Sequence, residues 1–121
     1  MAGKVLVVDD SPTMRRIVSN TLKRIGFSET EEAENGQEAL AKLGDADFAL
    51  IVTDWNMPGM SGLDFVKSVR SNGDYDDMPV LMVTTRSAED DVKAALQAGA
   101  NSYIVKPFTP QVLKEKIDSI I

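Results

Sequence analysis

Acidic and basic residues follow short apolar runs at three places in the chain. Asp9 and Asp10 come directly after a run of valine and leucine, and Asp54 follows a second run that ends at Thr53. Lys106 follows a third run and precedes a proline. If each run is a buried parallel strand, the carboxyl ends of the strands bring the acids and the lysine to one edge of a sheet. The expected chemistry is that of a carboxylate cluster with one neighbouring ammonium group.

Such a cluster favours a cation and a phosphoryl group. Crowded carboxylates repel one another, and a hard divalent ion with oxygen ligands, Mg²⁺ most naturally, relieves that repulsion. Asp54 can serve as a nucleophile because carboxylates form acyl phosphates. Lys106 offers a compact positive charge to a phosphoryl oxygen, and the hydroxyl of Thr84 could donate to another. A single aspartate after a strand is usually a turn or capping residue, but charged residues at three strand ends favour a site.

The elements that must position these residues alternate between strand and helix. The apolar runs predict strands at residues 4–8, 48–53, 80–83 and 102–105. Residues 30–33 are too acidic for a buried strand and are assigned as an edge strand because a helical pattern follows them. The order of strand and helix, repeated five times with right-handed crossovers, predicts an α/β fold with a doubly wound five-stranded parallel sheet and helices on both faces.

Helix boundaries are indicated by capping residues. The first helix is predicted to start after Ser11 as N-cap, with Pro12 at its first position. Ser87 is predicted to cap the fourth helix. The fifth helix is predicted to start at Thr109, with Ile120 and Ile121 facing the core.

Length and composition narrow the classes of protein. The chain has 121 residues, of which 43% are hydrophobic and 26% charged, and we expect a single globular domain over residues 1–121 with no output domain. The absence of cysteine and histidine excludes thiol catalysis, disulfides and histidine-based acid–base catalysis. A net charge of −6 argues against a nucleic-acid partner. No apolar run approaches the ~20 residues of a membrane span, and Met1 to Lys4 do not resemble a signal peptide. The absence of cysteine agrees with a cytoplasmic setting, and we also expect a monomer.

Four segments together resemble the receiver domain of bacterial response regulators. They are Val-Val-Asp-Asp-Ser at 7–11, Thr-Asp-Trp-Asn-Met-Pro-Gly-Met-Ser-Gly at 53–62, Val-Thr at 83–84 and Val-Lys-Pro-Phe at 105–108. The resemblance covers essentially the whole chain, in order and with matching spacing, and is greatest to the stand-alone chemotaxis members. It implies a flavodoxin-like (βα)5 receiver fold.

The resemblance also implies roles for individual residues. Asp54 matches the phosphoacceptor, and Thr84 and Lys106 match the pair that contacts the phosphoryl group. Tyr103 matches an aromatic switch that turns inward when Thr84 moves toward the phosphate. The implied direct Mg²⁺ ligands are Asp10, Asp54 and the backbone carbonyl of Asn56, with Asp9 acting mostly through water.

The function that the resemblance implies is signalling rather than classical enzyme catalysis. A sensor histidine kinase would transfer a phosphoryl group to Asp54, and the domain would later dephosphorylate itself or meet a dedicated phosphatase. Phosphorylation would change the surface of the fourth helix, fifth strand and fifth helix, around Val92, Tyr103 and Lys116. The target would be the flagellar motor switch or another protein.

Other interpretations start from the same residues. The chain could be a receiver excised from a longer regulator, or a phosphorelay intermediate. A haloacid-dehalogenase-type phosphatase also uses an aspartyl phosphate and Mg²⁺, but it requires an acid where Ser11 stands, two residues after Asp9. A flavodoxin-like cofactor carrier would need a phosphate-binding loop after the first strand, where Asp9 and Asp10 would repel a phosphate. Fold similarity alone does not choose among these functions.

Overall fold

The computed structural model describes residues 3–121. Met1 and Ala2, the first residues of the segment that does not resemble a signal peptide, lie outside the described residues. The described residues form one parallel sheet with strand order β2-β1-β3-β4-β5. The strands are β1 (Lys4–Val8), β2 (Glu29–Ala33), β3 (Leu50–Thr53), β4 (Val80–Thr84) and β5 (Ser102–Val105). The predicted five-stranded α/β fold is therefore confirmed.

A helix follows each strand, and residues 73–75 add a short 3₁₀ turn before β4. The helices are α1 (Pro12–Arg24), α2 (Gly36–Asp45), α3 (Gly62–Arg70), α4 (Glu89–Ala98) and α5 (Pro110–Asp118). The capping prediction for Ser11 is confirmed, since its side-chain oxygen accepts the backbone N–H of Met14. The fifth helix starts at Pro110, and Thr109 is its N-cap. None of the helices within residues 3–121 has the length and apolar character that a membrane span requires.

Alternate residues of β1 serve two separate hydrophobic cores, because successive side chains of a strand point to opposite faces. Val5 and Val7 belong to a cluster that also contains side chains of α1 and α5. Leu6 and Val8 belong to the other cluster, which contains side chains of α2, α3 and α4. Burying one such side chain contributes about 1.5–3 kcal/mol. With both faces of the sheet covered, functional side chains gather at the ends of the strands.

The acidic segment predicted as an edge strand does form one, β2, and starts one residue earlier than predicted. It pairs only with β1. Glu31 forms an ion pair with Lys4 at 3.0 Å, and Glu32 forms one with Arg15 at 3.0 Å. Charged side chains on an edge strand oppose pairing with a second chain.

Three local predictions are wrong. The third strand begins at Leu50, so Phe48 and Ala49 precede it. Ser87 does not cap α4; Ala88 holds that position without a side-chain hydrogen bond, and three acids in the first turn complement the helix dipole instead. Ile121, the last residue, is 55% exposed and does not face the core, whereas Ile120 packs partly against it as predicted.

Candidate functional site

Asp54 lies where β3 ends, beside the end of β1. Its backbone N–H donates to the carbonyl of Val8 at 2.9 Å, which extends the pairing of the two strands by one bond. The Oδ1 atom of Asp54 accepts the backbone N–H of Trp55 at 2.7 Å. Its Oδ2 atom faces the ammonium of Lys106 at 3.5 Å, and the side chain is 11% exposed. One carboxylate oxygen is thus fixed by the backbone, while the other faces the cation.

Lys106 joins the acids of two strands. Its Nζ donates to Oδ2 of Asp9 at 2.9 Å, in addition to its contact with Asp54. Asp9 is buried, and its Oδ1 accepts the backbone N–H of Ser11 at 2.9 Å. The backbone N–H of Lys106 donates to the carbonyl of Thr84 at 2.8 Å, and its peptide bond to Pro107 is cis. Lys106, at the end of β5, therefore places its positive charge between the acids that follow β1 and β3.

The three predicted carboxylates do come together. Asp9, Asp10 and Asp54 each offer an oxygen atom, and these atoms lie within 4.8 Å of one another. Asp10 is the exposed member of the group. The ammonium of Lys106 pairs with Asp9 and Asp54, so the carboxylates of the cluster outnumber the ammonium groups that pair with it by two. An all-oxygen donor set with this charge fits a hard divalent cation.

Thr84 and Tyr103 meet at the backbone of Arg86. The hydroxyl of Thr84, which is fully buried at the end of β4, accepts the backbone N–H of Arg86 at 3.4 Å. The Tyr103 hydroxyl donates to the carbonyl of Arg86 at 2.8 Å, and the tyrosine is 8% exposed. Burial raises the pKa of Tyr103, the carboxylates of Asp91 and Asp54 raise it further, and the Arg86 guanidinium lowers it. The tyrosine side chain therefore points inward in this structure.

Arg86 belongs to the site, although the sequence led to no predicted role for it. Its guanidinium lies over the ring of Trp55, 4.7 Å from the centroid. Its Nε donates to the side-chain oxygen of Asn56 at 3.0 Å. The sequence contains one indication of this role. Arg86 follows the strand-end residue Thr84 by two positions, and the aromatic residue Trp55 follows Asp54 directly.

Gly62 is a second residue that the sequence analysis left out of the site. Its N–H donates to the carbonyl of Trp55 at 2.7 Å, so that α3 starts against the loop after Asp54. A Cβ atom at Gly62 would overlap the carbonyl oxygen of Asp54 and come within 2.8 Å of the Trp55 Cα. The position requires glycine because the two backbone segments touch.

Comparison with known proteins agrees with this geometry. The family model of the response regulator receiver domain matches residues 5–118. The chain is 56% identical to the chemotaxis protein CheY1 of Helicobacter pylori, over 98% of this chain and 96% of the relative. It is also 56% identical to a CheY homolog of Campylobacter jejuni, over 98% of this chain and 92% of the relative.

A solved structure gives the same result. The chemotaxis protein CheY4 of Vibrio cholerae superposes with a TM-score of 0.92 at 41% identity, over the whole of both chains. The fold, the family model and the identity to named relatives agree over nearly the full length of the chain. This chain belongs to the response regulator receiver domain family, as a CheY-like signalling module that works with a histidine kinase and a downstream target.

Proposed function

We propose that this protein is a chemotaxis response regulator that accepts a phosphoryl group from a sensor histidine kinase on Asp54. The observation that carries the proposal is the position of the Asp54 carboxylate, 3.5 Å from Lys106 and grouped with Asp9 and Asp10 at the strand ends. The relatives named above, which are chemotaxis proteins of nearly the same length, support the biological role.

In the proposed transfer, a carboxylate oxygen of Asp54 attacks the phosphorus of the donor. The new oxygen–phosphorus bond forms as the bond from phosphorus to the donor histidine nitrogen breaks, and the donor leaves as a neutral imidazole once it holds a proton. Because Trp55 N–H holds Oδ1, Oδ2 is the atom that we assign as the nucleophile. Lys106 then neutralises part of the charge on the phosphoryl oxygens. Attack of water on phosphorus later regenerates the carboxylate, which is the self-dephosphorylation step.

The donor set around Asp54 fits Mg²⁺. Asp10, Asp54 and the backbone carbonyl of Asn56 would hold the ion directly, and Asp9 would act mostly through water. When bound, the ion neutralises the carboxylates and the incoming phosphoryl oxygens. The chain's own contribution is to hold the acids together, which Lys106 and the strand pairing do.

The output of the proposed switch is a change at the surface of α4, β5 and α5. Thr84 would donate to a phosphoryl oxygen, and phosphorylation would stabilise the inward position that Tyr103 already holds in this structure, so that it selects one arrangement over another. The contacts of both side chains with the Arg86 backbone support this coupling. We assign the flagellar motor switch as the target, the cytoplasm as the location and a dedicated phosphatase as an optional partner.

Phosphoryl uptake at Asp54 tests the proposal. Incubation with acetyl phosphate and Mg²⁺ should add the mass of one phosphoryl group to the intact protein, and Asp54→Asn should add none because the nucleophile is lost. Asp64→Asn is the matched control, since it removes an exposed carboxylate ten residues further on, outside the cluster. Equal labelling of Asp54→Asn and the wild type would contradict the assignment.

Metal binding gives an independent test at Asp10. Asp10→Asn should weaken Mg²⁺ binding by about tenfold or more, because even groups that only orient a metal ligand are worth about 10- to 100-fold. The fluorescence of Trp55, the only tryptophan in the sequence, measures the titration. Without metal, the same change should raise the free energy of unfolding because it relieves repulsion.

The control for this titration is Glu34→Gln. Glu34 lines the same surface groove as Asp10 but is not one of the three clustered carboxylates. An equal loss of affinity in the two variants would mean that Asp10 acts through general charge and is not a ligand.

A further inference from the structure

The guanidinium of Arg86 connects the loop after the phosphoacceptor to α4. On one side it lies over Trp55 and donates to Asn56, the two residues that follow Asp54. On the other side it pairs with the carboxylate of Asp91 in the first turn of α4, at 3.7 Å. The side chain is 41% exposed, so solvent reaches the guanidinium although Trp55 covers one side of it.

The contact with Asp91 is the weaker side of this arrangement. An ion pair at 3.7 Å between partly exposed side chains contributes little net free energy. A phosphoryl group carries about −1.5 to −2 charges at pH 7 and three acceptor oxygens. Hydrogen bonds between arginine and phosphate are charge-assisted and are stronger than hydrogen bonds between neutral groups. The planar guanidinium also matches the geometry of the phosphate oxygens.

The Arg86 side chain starts close to where that charge would appear. Asp54 is adjacent to Trp55, whose ring the guanidinium covers. The charges of Asp54 and Arg86 both reach the Tyr103 hydroxyl, where they act on its pKa in opposite directions. The contacts of Arg86 with Thr84 and Tyr103 involve its backbone, so they do not have to break when the exposed side chain changes its partner.

We propose that Arg86 is a phosphoryl-sensing residue, whose guanidinium leaves Asp91 to bind a phosphoryl group on Asp54. The inference rests on the proposed function, because it requires Asp54 to carry that group. The exchange leaves the Asp91 carboxylate unpaired at the start of α4. It therefore gives α4 an electrostatic signal that is separate from the hydroxyl of Thr84.

Beryllofluoride, a mimic of the phosphoryl group, tests the exchange. Its affinity in the presence of Mg²⁺ is measured by ¹⁹F NMR, which counts bound fluoride without relying on Trp55. Asp91→Asn should bind beryllofluoride about twofold to fivefold more tightly than Asp90→Asn, because only Asp91 competes for Arg86. The comparison is matched: both acids lie in the first turn of α4, and within residues 3–121 no ion pair involves Asp90.

The same pair of substitutions in an Arg86→Gln background completes the test. Without the guanidinium, Asp91→Asn and Asp90→Asn should bind beryllofluoride equally. If Asp91 acted only on the structure of α4, the difference between the two variants would remain. Equal affinities in the presence of Arg86, or a difference that persists in Arg86→Gln, would overturn the exchange. A wild-type protein that binds beryllofluoride but fails these comparisons would leave the phosphoacceptor role of Asp54 standing. A wild-type protein that takes up neither beryllofluoride nor a phosphoryl group would overturn the proposed function itself.

Discussion

Replacing Arg70 with methionine is expected to lower the free energy of unfolding by about 2–4 kcal/mol, because several carbonyl groups lose their donor at once. The guanidinium, half-buried at the end of α3, donates to backbone carbonyls and to one side-chain oxygen. The acceptors are the carbonyls of Tyr75 at 2.6 Å, Met78 at 2.7 Å, Gly99 at 3.0 Å and Asp76 at 3.4 Å, and Oδ1 of Asn101 at 2.8 Å.

These bonds hold the segments that lead into β4 and β5. Asn101 connects Arg70 to β4, since its Oδ1 accepts both the Arg70 N–H and the backbone N–H of Val80, the first residue of β4. Burial lowers the pKa of Arg70, while the charges of Asp76 and Asp77 raise it. The methionine variant keeps most of the side-chain length and removes the donors, so the expected loss comes from unpaired carbonyls and not from a cavity.

Urea unfolding followed by circular dichroism measures the effect. Arg24→Met is the matched control, because Arg24 is also the last residue of a helix but is exposed. We expect that control to change the free energy of unfolding by less than about 0.5 kcal/mol. Similar losses in the two variants would show that the Arg70 bonds contribute nothing beyond those of a surface arginine. Since Arg70 lies at the amino ends of the strands, the folded variant should still take up a phosphoryl group.

The second large effect is expected at Gly62, where alanine should slow phosphoryl uptake by about 100-fold. The added Cβ would overlap the carbonyl oxygen of Asp54 and crowd the backbone of Trp55. Both contacts are with backbone, so relief requires the phosphoacceptor loop or the start of α3 to move. A misplacement of about 1 Å at a reacting group can cost about 100-fold in rate. We also expect the variant to lose about 1–3 kcal/mol of stability through overpacking.

The initial rate of labelling by acetyl phosphate, measured on protein shown to be folded, tests this prediction. Gly44→Ala is the control, because a Cβ at Gly44 in α2 would meet nothing within 4 Å. That variant should label at the wild-type rate and gain about 0.4–1 kcal/mol of stability, as alanine restricts the unfolded chain. A Gly62→Ala protein that labels as fast as Gly44→Ala would show that the loop tolerates the displacement.

Parts of the site were predictable because a buried parallel strand is marked by a run of apolar residues that are neighbours in the sequence. Apolar runs ending at Asp9, Asp54 and Lys106 indicated strands, and parallel strands bring their carboxyl ends to one edge. The acidic β2 was harder to predict, since its own residues oppose a buried strand and only pairing with β1 makes it one. Ser87 shows the opposite error: a good capping residue stands in the sequence, but the helix starts beyond it.

The sequence by itself determined which groups could meet at the strand ends, because strand periodicity and the crossover rule act on neighbouring residues. Only the tertiary structure decided which of them touch. Lys106 reaches Asp9 across 97 residues, and Arg86 reaches Asn56 across 30, because β1 pairs with β3, β3 with β4 and β4 with β5. Tertiary contacts also explain why position 62 requires glycine and why Arg70 finds five acceptors for its N–H groups. Such contacts depend on the distance between backbones that are far apart in sequence, which no local pattern of residue types encodes.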